Sequence, residues 1–249
     1  MLPLNEWSEP NKTVLVLGAN SDVAKEAIKL YIKAGHRVIA ASRSTGELHI
    51  FIQQQGFDIH QCIVQYFDAT AFDTHAAFYN NLPSKPNTVL YAAGFLKNNE
   101  AAIRDWESSL RMMQVHYCGA VSILNIIAAD TTNTGLEKII GLSSLSGVRG
   151  RKSNFIYGST KSAFTQYLAG LRQYLFLRNV SVHVIVAGYI RSKMTAGLNL
   201  PGSLMLEPSF IAKAVVHAPK RFIIVPGFKW KLIYSALKLM PEKLVARLP

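Results

Sequence analysis

Apolar and polar positions follow two alternating rhythms along this chain of 249 residues. TVLVLG, residues 13–18, is a short β-branched run closed by glycine, the pattern of a strand buried on both faces. DVAKEAIKLYIKAG then places Val23, Ala27, Ile28, Tyr31 and Ile32 at helical spacing and stops at Gly35, which predicts a helix. HRVIAAS, CIVQYFD, TVLYAAG, KIIGLSS and VSVHVIVAG repeat the strand pattern, with helical patterns between them, notably over 100–129 and 154–178. Strand and helix in this rhythm predict a doubly wound α/β fold, a parallel sheet with helices on both faces. No internal repeat or low-complexity linker divides the chain, and its length suits a single domain with a sizeable core.

Composition narrows the classes. Hydrophobic residues make up 49% and charged residues 17%, which fits a globular protein and argues against long disorder. Cys62 and Cys118 give neither a disulfide framework nor a metal-ligand spacing, and the seven histidines are scattered singly. The opening MLPLNEWSEPNK lacks the basic-then-apolar layout of a signal peptide. By the sequence reading no segment reaches the roughly 18 apolar residues that span a bilayer. A cytoplasmic protein is expected. The net charge of +12 asks for an anionic counterpart. Nucleic acid is not expected, because no Arg-rich helix, zinc finger or aromatic RNA-binding signature appears. An anionic cofactor or substrate and an anionic membrane surface remain as candidates.

The chemistry-bearing residues fall at strand ends. LGANSDVA joins the first strand to the first helix, where backbone amides and the helix dipole suit a pyrophosphate. Gly18 supplies the tight turn, while Asp22 and Ala24 stand where such turns carry further glycines. Asp22 suits a helix N-terminus but would repel a phosphate, so it is expected to point away, with Asn20 and Ser21 facing the cofactor and Val23 next to them. A plain strand-to-helix loop reads equally well. After the second strand, Ser42 and Arg43 replace the carboxylate that would grip ribose hydroxyls; a guanidinium matches a 2′-phosphate, so NADP(H) is favoured over NAD. The alternative for Arg43 is a solvated strand-end charge. Asp68, with Ala69 beside it, is placed either to meet an adenine amino group or simply to make a turn.

IYGSTKSAF (156–164) sets Tyr157 and Lys161 four residues apart, on one face of a helix. An ammonium beside a phenol favours the phenolate and would let the tyrosine trade protons near neutral pH; an incidental surface pair is the other reading. Ser144 in GLSSLSG lies 13 residues earlier at its strand's end, and YAAG (91–94) and VAGYIRSKM (186–194) leave their strands at the same rim.

With these motifs in order, residues 12–195 resemble the short-chain dehydrogenase/reductase family, which implies a Rossmann-type fold. The resemblance implies that Tyr157 exchanges a proton with the carbonyl oxygen and that Ser144 polarises that oxygen. It further implies that Lys161 grips the nicotinamide ribose and lowers the Tyr157 pKa. Gly188, Ile190 and Ser192 look like the segment that holds the carboxamide, and Ala92, Ala93 and Gly94 like the wall packed on the adenosine half. Besides the missing glycines there are two departures. Ala187 stands where the family usually has proline. His116, in QVHYCGAVS, stands where the family has an asparagine that anchors a relay water. His116 either substitutes in that relay or is packed in the helix interface.

Beyond the core, 196–208 is expected to form an apolar substrate lid. The closing FKWKLIYSALKLMPEKLVARLP (228–249) puts Lys231, Ser235, Lys238 and Glu242 on one helical side and Leu232, Ile233, Ala236, Leu237 and Met240 on the other. It reads as a helix on an anionic bilayer or as a cap on the core. NFIYGSTK, the VHYCGAVS helix and this tail resemble family members that reduce a keto-sugar carried on a polyprenyl phosphate. Three readings follow: a lipid-linked carbonyl substrate, a small soluble ketone or acyl intermediate, or a catalytically weak NADP-binding interaction protein. The small residues of helix 154–178 (Gly158, Ser159, Ser162, Ala163, Ala169, Gly170) would let another helix approach, and by resemblance a homodimer or homotetramer is expected.

Overall fold

The computed structural model of the protein describes residues 12–58 and 60–247. The chain start read above for a signal peptide, and the last two residues of the tail, lie outside the described residues. Among the described residues, seven strands form one parallel sheet: β1 (Thr13–Leu17), β2 (Arg37–Ser42), β3 (Cys62–Tyr66), β4 (Thr88–Tyr91), β5 (Lys138–Ser144), β6 (Ser181–Ala187) and β7 (Ile223–Ile224). Their order is β3-β2-β1-β4-β5-β6-β7, so the winding reverses between β1 and β4. Leu17 is level with both Ala41 and Tyr91, and Ser144 with Ala187. The register therefore brings Gly18, Ser42, Ala92 and Ser144 to one rim, beside the switch point where doubly wound sheets open a crevice.

Alternation along the strands divides the core. Val14, Val16, Val38, Ala40, Ile140 and Ile185 face α1 (Asp22–Lys33), α2 (Thr45–Gln55) and α8 (Pro208–Val216). Leu15, Leu17, Ile39, Val89, Ile139 and Val184 face α3 (His75–Asn80), α6 (Gly119–Ala129) and α7 (Phe155–Tyr174). Every residue of β1 is buried, which explains why its sequence reads as an unbroken apolar run. The helix expected over 100–129 is interrupted at Asp105, giving α4 (Asn99–Arg104) and α5 (Trp106–Met113). From α5 the chain continues through a π-helical turn, Gln114–Cys118, into α6. By length and composition the run Trp106–Ala129 could cross a membrane, contrary to the sequence reading, but half of its most apolar window is buried within the protein. It packs as a core helix.

The tail forms α9 (Phe228–Leu239) and α10 (Glu242–Val245). Trp230 and Leu237 are buried in the core cluster, so Leu237, from the apolar side of the tail, packs inward. Arg149 fixes the end of α9 by donating from Nε to the Leu237 carbonyl (3.0 Å) and from Nη2 to that of Lys238 (3.1 Å). The C-terminal helix is thus a cap on the core, with Phe228, Leu232 and Leu239 turned to solvent.

Candidate active site

A cleft of about 600 Å³ runs along the rim, from the β1–α1 turn to the segment after β6. Of the residues named from sequence, Gly18, Asn20, Ser21, Asp22, Val23, Ser42, Arg43, Asp68, Ala69, Ala92, Ala93, Gly94, Ser144, Tyr157, Lys161, Gly188, Ile190 and Ser192 all line it. His116 lies behind this lining, wholly buried.

Two glycines shape the ends of the cleft. Gly18 has φ +84°, and a Cβ there would run into the backbone of Ala93, so glycine lets the turn lie against the end of β4. At the other end, a Cβ on Gly158 would sit 2.5 Å from the carbonyl oxygen of Ser146. Its absence lets the loop after β5 press on α7, which brings Ser144 beside Tyr157.

Ser144 lies beside Tyr157 and acts on its phenol, and its own Oγ accepts from the Ser146 amide at 3.2 Å. Burial pushes the Tyr157 pKa up to about 12, Ser144 pulling the other way. The lowering expected from Lys161 is therefore not what the protein by itself shows. Lys161 is 5% exposed, donates from Nζ to the Leu142 carbonyl (3.1 Å), and is itself brought down to about 7 by burial. Burial is the cause of the Lys161 shift and the larger cause of that of Tyr157.

His116 is packed between helix and loop, with both ring nitrogens engaged by the protein. The Phe95 amide donates to Nε2 at 3.0 Å, so Nε2 carries no proton. Nδ1 then holds the proton and donates to Thr160 Oγ1 at 2.8 Å, and that hydroxyl donates to the Tyr157 carbonyl at 2.8 Å. Both ring nitrogens have protein partners. Burial first, and the Lys161 charge second, push the His116 pKa well below its usual value, so the ring is neutral. Its edge meets the Tyr157 ring at 5.2 Å between centroids.

At the dinucleotide end, Asn20 lines the cleft and is held by the chain beside it. Its Nδ2 donates to Ser42 Oγ (3.0 Å) and the Ser44 carbonyl (2.9 Å), leaving buried Oδ1 without a partner. An orphaned acceptor there suits a ribose hydroxyl rather than a phosphate. Arg43 is exposed at the mouth of the cleft, and no side-chain partner for it appears among the described residues. Asp68 makes an Asx turn, its Oδ1 accepting from Thr70 N and Oγ1, both at 2.8 Å. Asp22 points its Oδ2 at the Lys193 amide, 2.7 Å away. The Gly18 cradle, the Asn20 acceptor and the Arg43 guanidinium fit a nicotinamide dinucleotide.

Sequence reasoning missed two supporting residues. His75 Nε2 donates to the Asp68 carbonyl (2.8 Å) and its ring stacks on Phe67. Trp230 of α9 packs on Gly188 and Tyr189 and donates from Nε1 to the Leu204 carbonyl (2.9 Å). Both come from outside the motifs, and pairing across that distance leaves no local signal.

A profile of the short chain dehydrogenase family matches residues 12–201, and the chain belongs to that family. It is an NAD(P)-dependent oxidoreductase. An uncharacterised oxidoreductase of Mycobacterium tuberculosis is 26% identical over 248 residues, spanning 95% of this chain and 96% of its own. One from Streptomyces coelicolor is 28% identical over 255 residues, 97% of each. Among solved structures, a short chain dehydrogenase of Burkholderia cenocepacia in complex with NADP superposes with a TM-score of 0.81 at 18% identity, over 97% of this chain and 98% of that one. A short-chain dehydrogenase of Sphingobium yanoikuyae in complex with NADPH gives 0.77 at 16% identity over 96% of each.

Proposed function

We propose that this protein is an NADPH-dependent carbonyl reductase in which Tyr157 is the proton donor, Ser144 polarises the carbonyl and Lys161 binds the cofactor's ribose. The observation that carries this reading is that Ser144, Tyr157 and the buried Lys161 line one cleft, with Ser144 acting on the Tyr157 phenol. The β1–α1 turn would take the pyrophosphate, Asn20 Oδ1 a ribose hydroxyl, and Ser42 with Arg43 the 2′-phosphate. Gly188, Ile190 and Ser192 would hold the carboxamide. When bound, the nicotinamide supplies or accepts a hydride.

Tyr157 then gives its Oη proton to the substrate oxygen as charge develops there, and the Ser144 hydroxyl stabilises that charge. A phenol lifted to about 12 is protonated at neutral pH, the form that reduction needs. His116, locked as the neutral Nδ1–H tautomer, holds α7 and the Phe95 loop in place rather than carrying protons.

The substrate in this reading is a keto-sugar on a polyprenyl phosphate or a similar membrane-proximal ketone. The outward stripe of Phe228, Leu232 and Leu239, flanked by Lys229, Lys231 and Lys238, supports that reading, as do the apolar Met194, Leu198 and Leu200 in the cleft lining. A small soluble ketone is the second reading, supported by the role of α9 as a cap. A homo-oligomer forms part of the proposal. Ser159, Ser162 and Gly170 are exposed on α7 for such contact, whereas Gly158 is occupied within its own chain.

Steady-state kinetics with NADPH and NADH over a ketone panel test the assignment. Tyr157→Phe is expected to lower carbonyl reduction by about 10²–10⁴-fold, and retained activity would refute its role. Arg43→Ala is expected to reduce the NADPH over NADH preference about ten-fold or more, through loss of a charge-assisted phosphate contact. An unchanged preference would remove the cofactor argument.

A further inference from the structure

Lys193 reaches across the cleft from the segment after β6 and is gripped twice on the opposite side. Its backbone amide donates to Asp22 Oδ2 at the start of α1 (2.7 Å), and its Nζ pairs with Glu47 Oε1 in the first turn of α2 (2.5 Å). Glu47 Oε1 also receives Lys25 Nζ of α1 at 2.8 Å, a lysine whose side chain is only 15% exposed. The two contacts join residues 171 and 146 positions apart in sequence. Asp22, Glu47 and Lys193 all line the cleft, so the bridge lies over the path a dinucleotide would take.

The bridge bears on the nicotinamide end as well. Ser192, the neighbour of Lys193, forms a capping box with Thr195, whose hydroxyl donates to the Ile190 carbonyl at 2.5 Å. A displacement of Lys193 therefore moves the residues assigned to the carboxamide. The bridge also accounts for Asp22, which replaces a small residue in the phosphate turn and would otherwise place a bare carboxylate near a pyrophosphate. Glu47 would likewise stand close to a 2′-phosphate, were its charge not met by two ammoniums. Those two lysines hold its carboxyl below the usual range.

We infer that Asp22 and Glu47 are positioning residues that latch Lys193 over the bound cofactor, so that this latch governs how firmly NADPH is held and how fast it leaves. The inference rests on the dinucleotide reading above. It gives an outcome opposite to the simple electrostatic view of Asp22: if that carboxylate merely repelled phosphate, removing it would tighten binding.

The test has two arms on the full chain. Hydrogen exchange of the protein alone, followed on peptides covering 191–200, is expected to quicken about ten-fold in Asp22→Ala, which loses a charged acceptor of the Lys193 amide. NADPH release, followed by nicotinamide fluorescence after stopped-flow mixing with excess NADP, is expected to speed up about ten-fold in Asp22→Ala and in Lys193→Met. Lys193→Arg, which keeps a cation for Glu47, should restore release to near the wild-type rate, a rescue that a general loss of stability would not give. Unchanged exchange in Asp22→Ala, or slower release in that variant, overturns the latch. Should the wild type fail to bind NADPH, the cofactor reading falls, while the exchange arm still decides whether Asp22 holds Lys193.

Discussion

Lys161 brings an amine into surroundings that solvate it poorly, with the Leu142 carbonyl for a partner. Burial brings its pKa down to about 7, against 10.5 for a free lysine. Between those values the unfolded chain holds a proton that the native protein has lost, so stability rises with pH from about 7 upward. Tyr157 acts with the opposite sign, but only above its unfolded value of 10.0, where the native state keeps a proton up to about 12. The cofactor-free protein should therefore become more stable between pH 7 and pH 10, by as much as about 1.4 kcal/mol per pH unit from this one group. Lys161→Met should remove that slope. Urea unfolding of both proteins at pH 7, 8 and 9 reads the difference, and parallel pH profiles would show that Lys161 is solvated. Such a lysine also gains from meeting ribose hydroxyls, which offer acceptors that the apolar wall does not.

The loop after β5 and the start of α7 form one structural element, because they are joined where Gly158 meets Ser146. Gly158→Ala is expected to cost about 1–3 kcal/mol, since the 2.5 Å approach to a backbone oxygen cannot be relieved by a side-chain rotation. Reduction should fall by more than stability explains, as Ser144 and Tyr157 move apart. A thermal shift measured beside kcat separates the two, and normal kcat in a destabilised variant would show that the element tolerates the displacement. Much at this scale was legible in the sequence. Strands β1 to β6 announced themselves as β-branched runs, and α1 through its period, because burial on fixed faces imposes fixed spacing. What stayed hidden was set by distant contacts. The run 100–129 read as one helix, since neither the turn at Asp105 nor the π-helical turn at 114–118 disturbs the apolar period enough to be seen. The neutral tautomer of His116 depends on Phe95, Thr160 and depth, none of which its own neighbours in sequence reveal. Lys193 carried no signal of its own in the sequence; its partners Asp22 and Glu47 lie on α1 and α2.

At the scale of the whole molecule, an excess of twelve positive charges meets one unusual surface. Along the outer side of α9, Phe228, Leu232 and Leu239 are 74%, 57% and 82% exposed, while the inner side is held by Trp230 at 4%. Residues 228, 232 and 239 recur at helical spacing, so they form one stripe, and Lys229, Lys231 and Lys238 border it. No carboxylate lies on α9 to offset them. Apolar centre and cationic flanks match a helix resting at the surface of an anionic bilayer, where each lysine contributes about 1 kcal/mol. Deleting residues 228–249 would be a poor test, because it removes Trp230 from the core and leaves Gly188 and Tyr189 without their support. Substituting Phe228, Leu232 and Leu239 together by serine leaves the inner side intact. The proposed membrane contact predicts that the wild type co-sediments with phosphatidylserine vesicles and not with neutral ones. The triple variant should bind about ten-fold more weakly or worse, while its reduction of a soluble ketone is kept. If the wild type stays in the supernatant with anionic vesicles at low salt, the membrane-proximal substrate loses its structural support, and the stripe must be explained by contact with another protein surface.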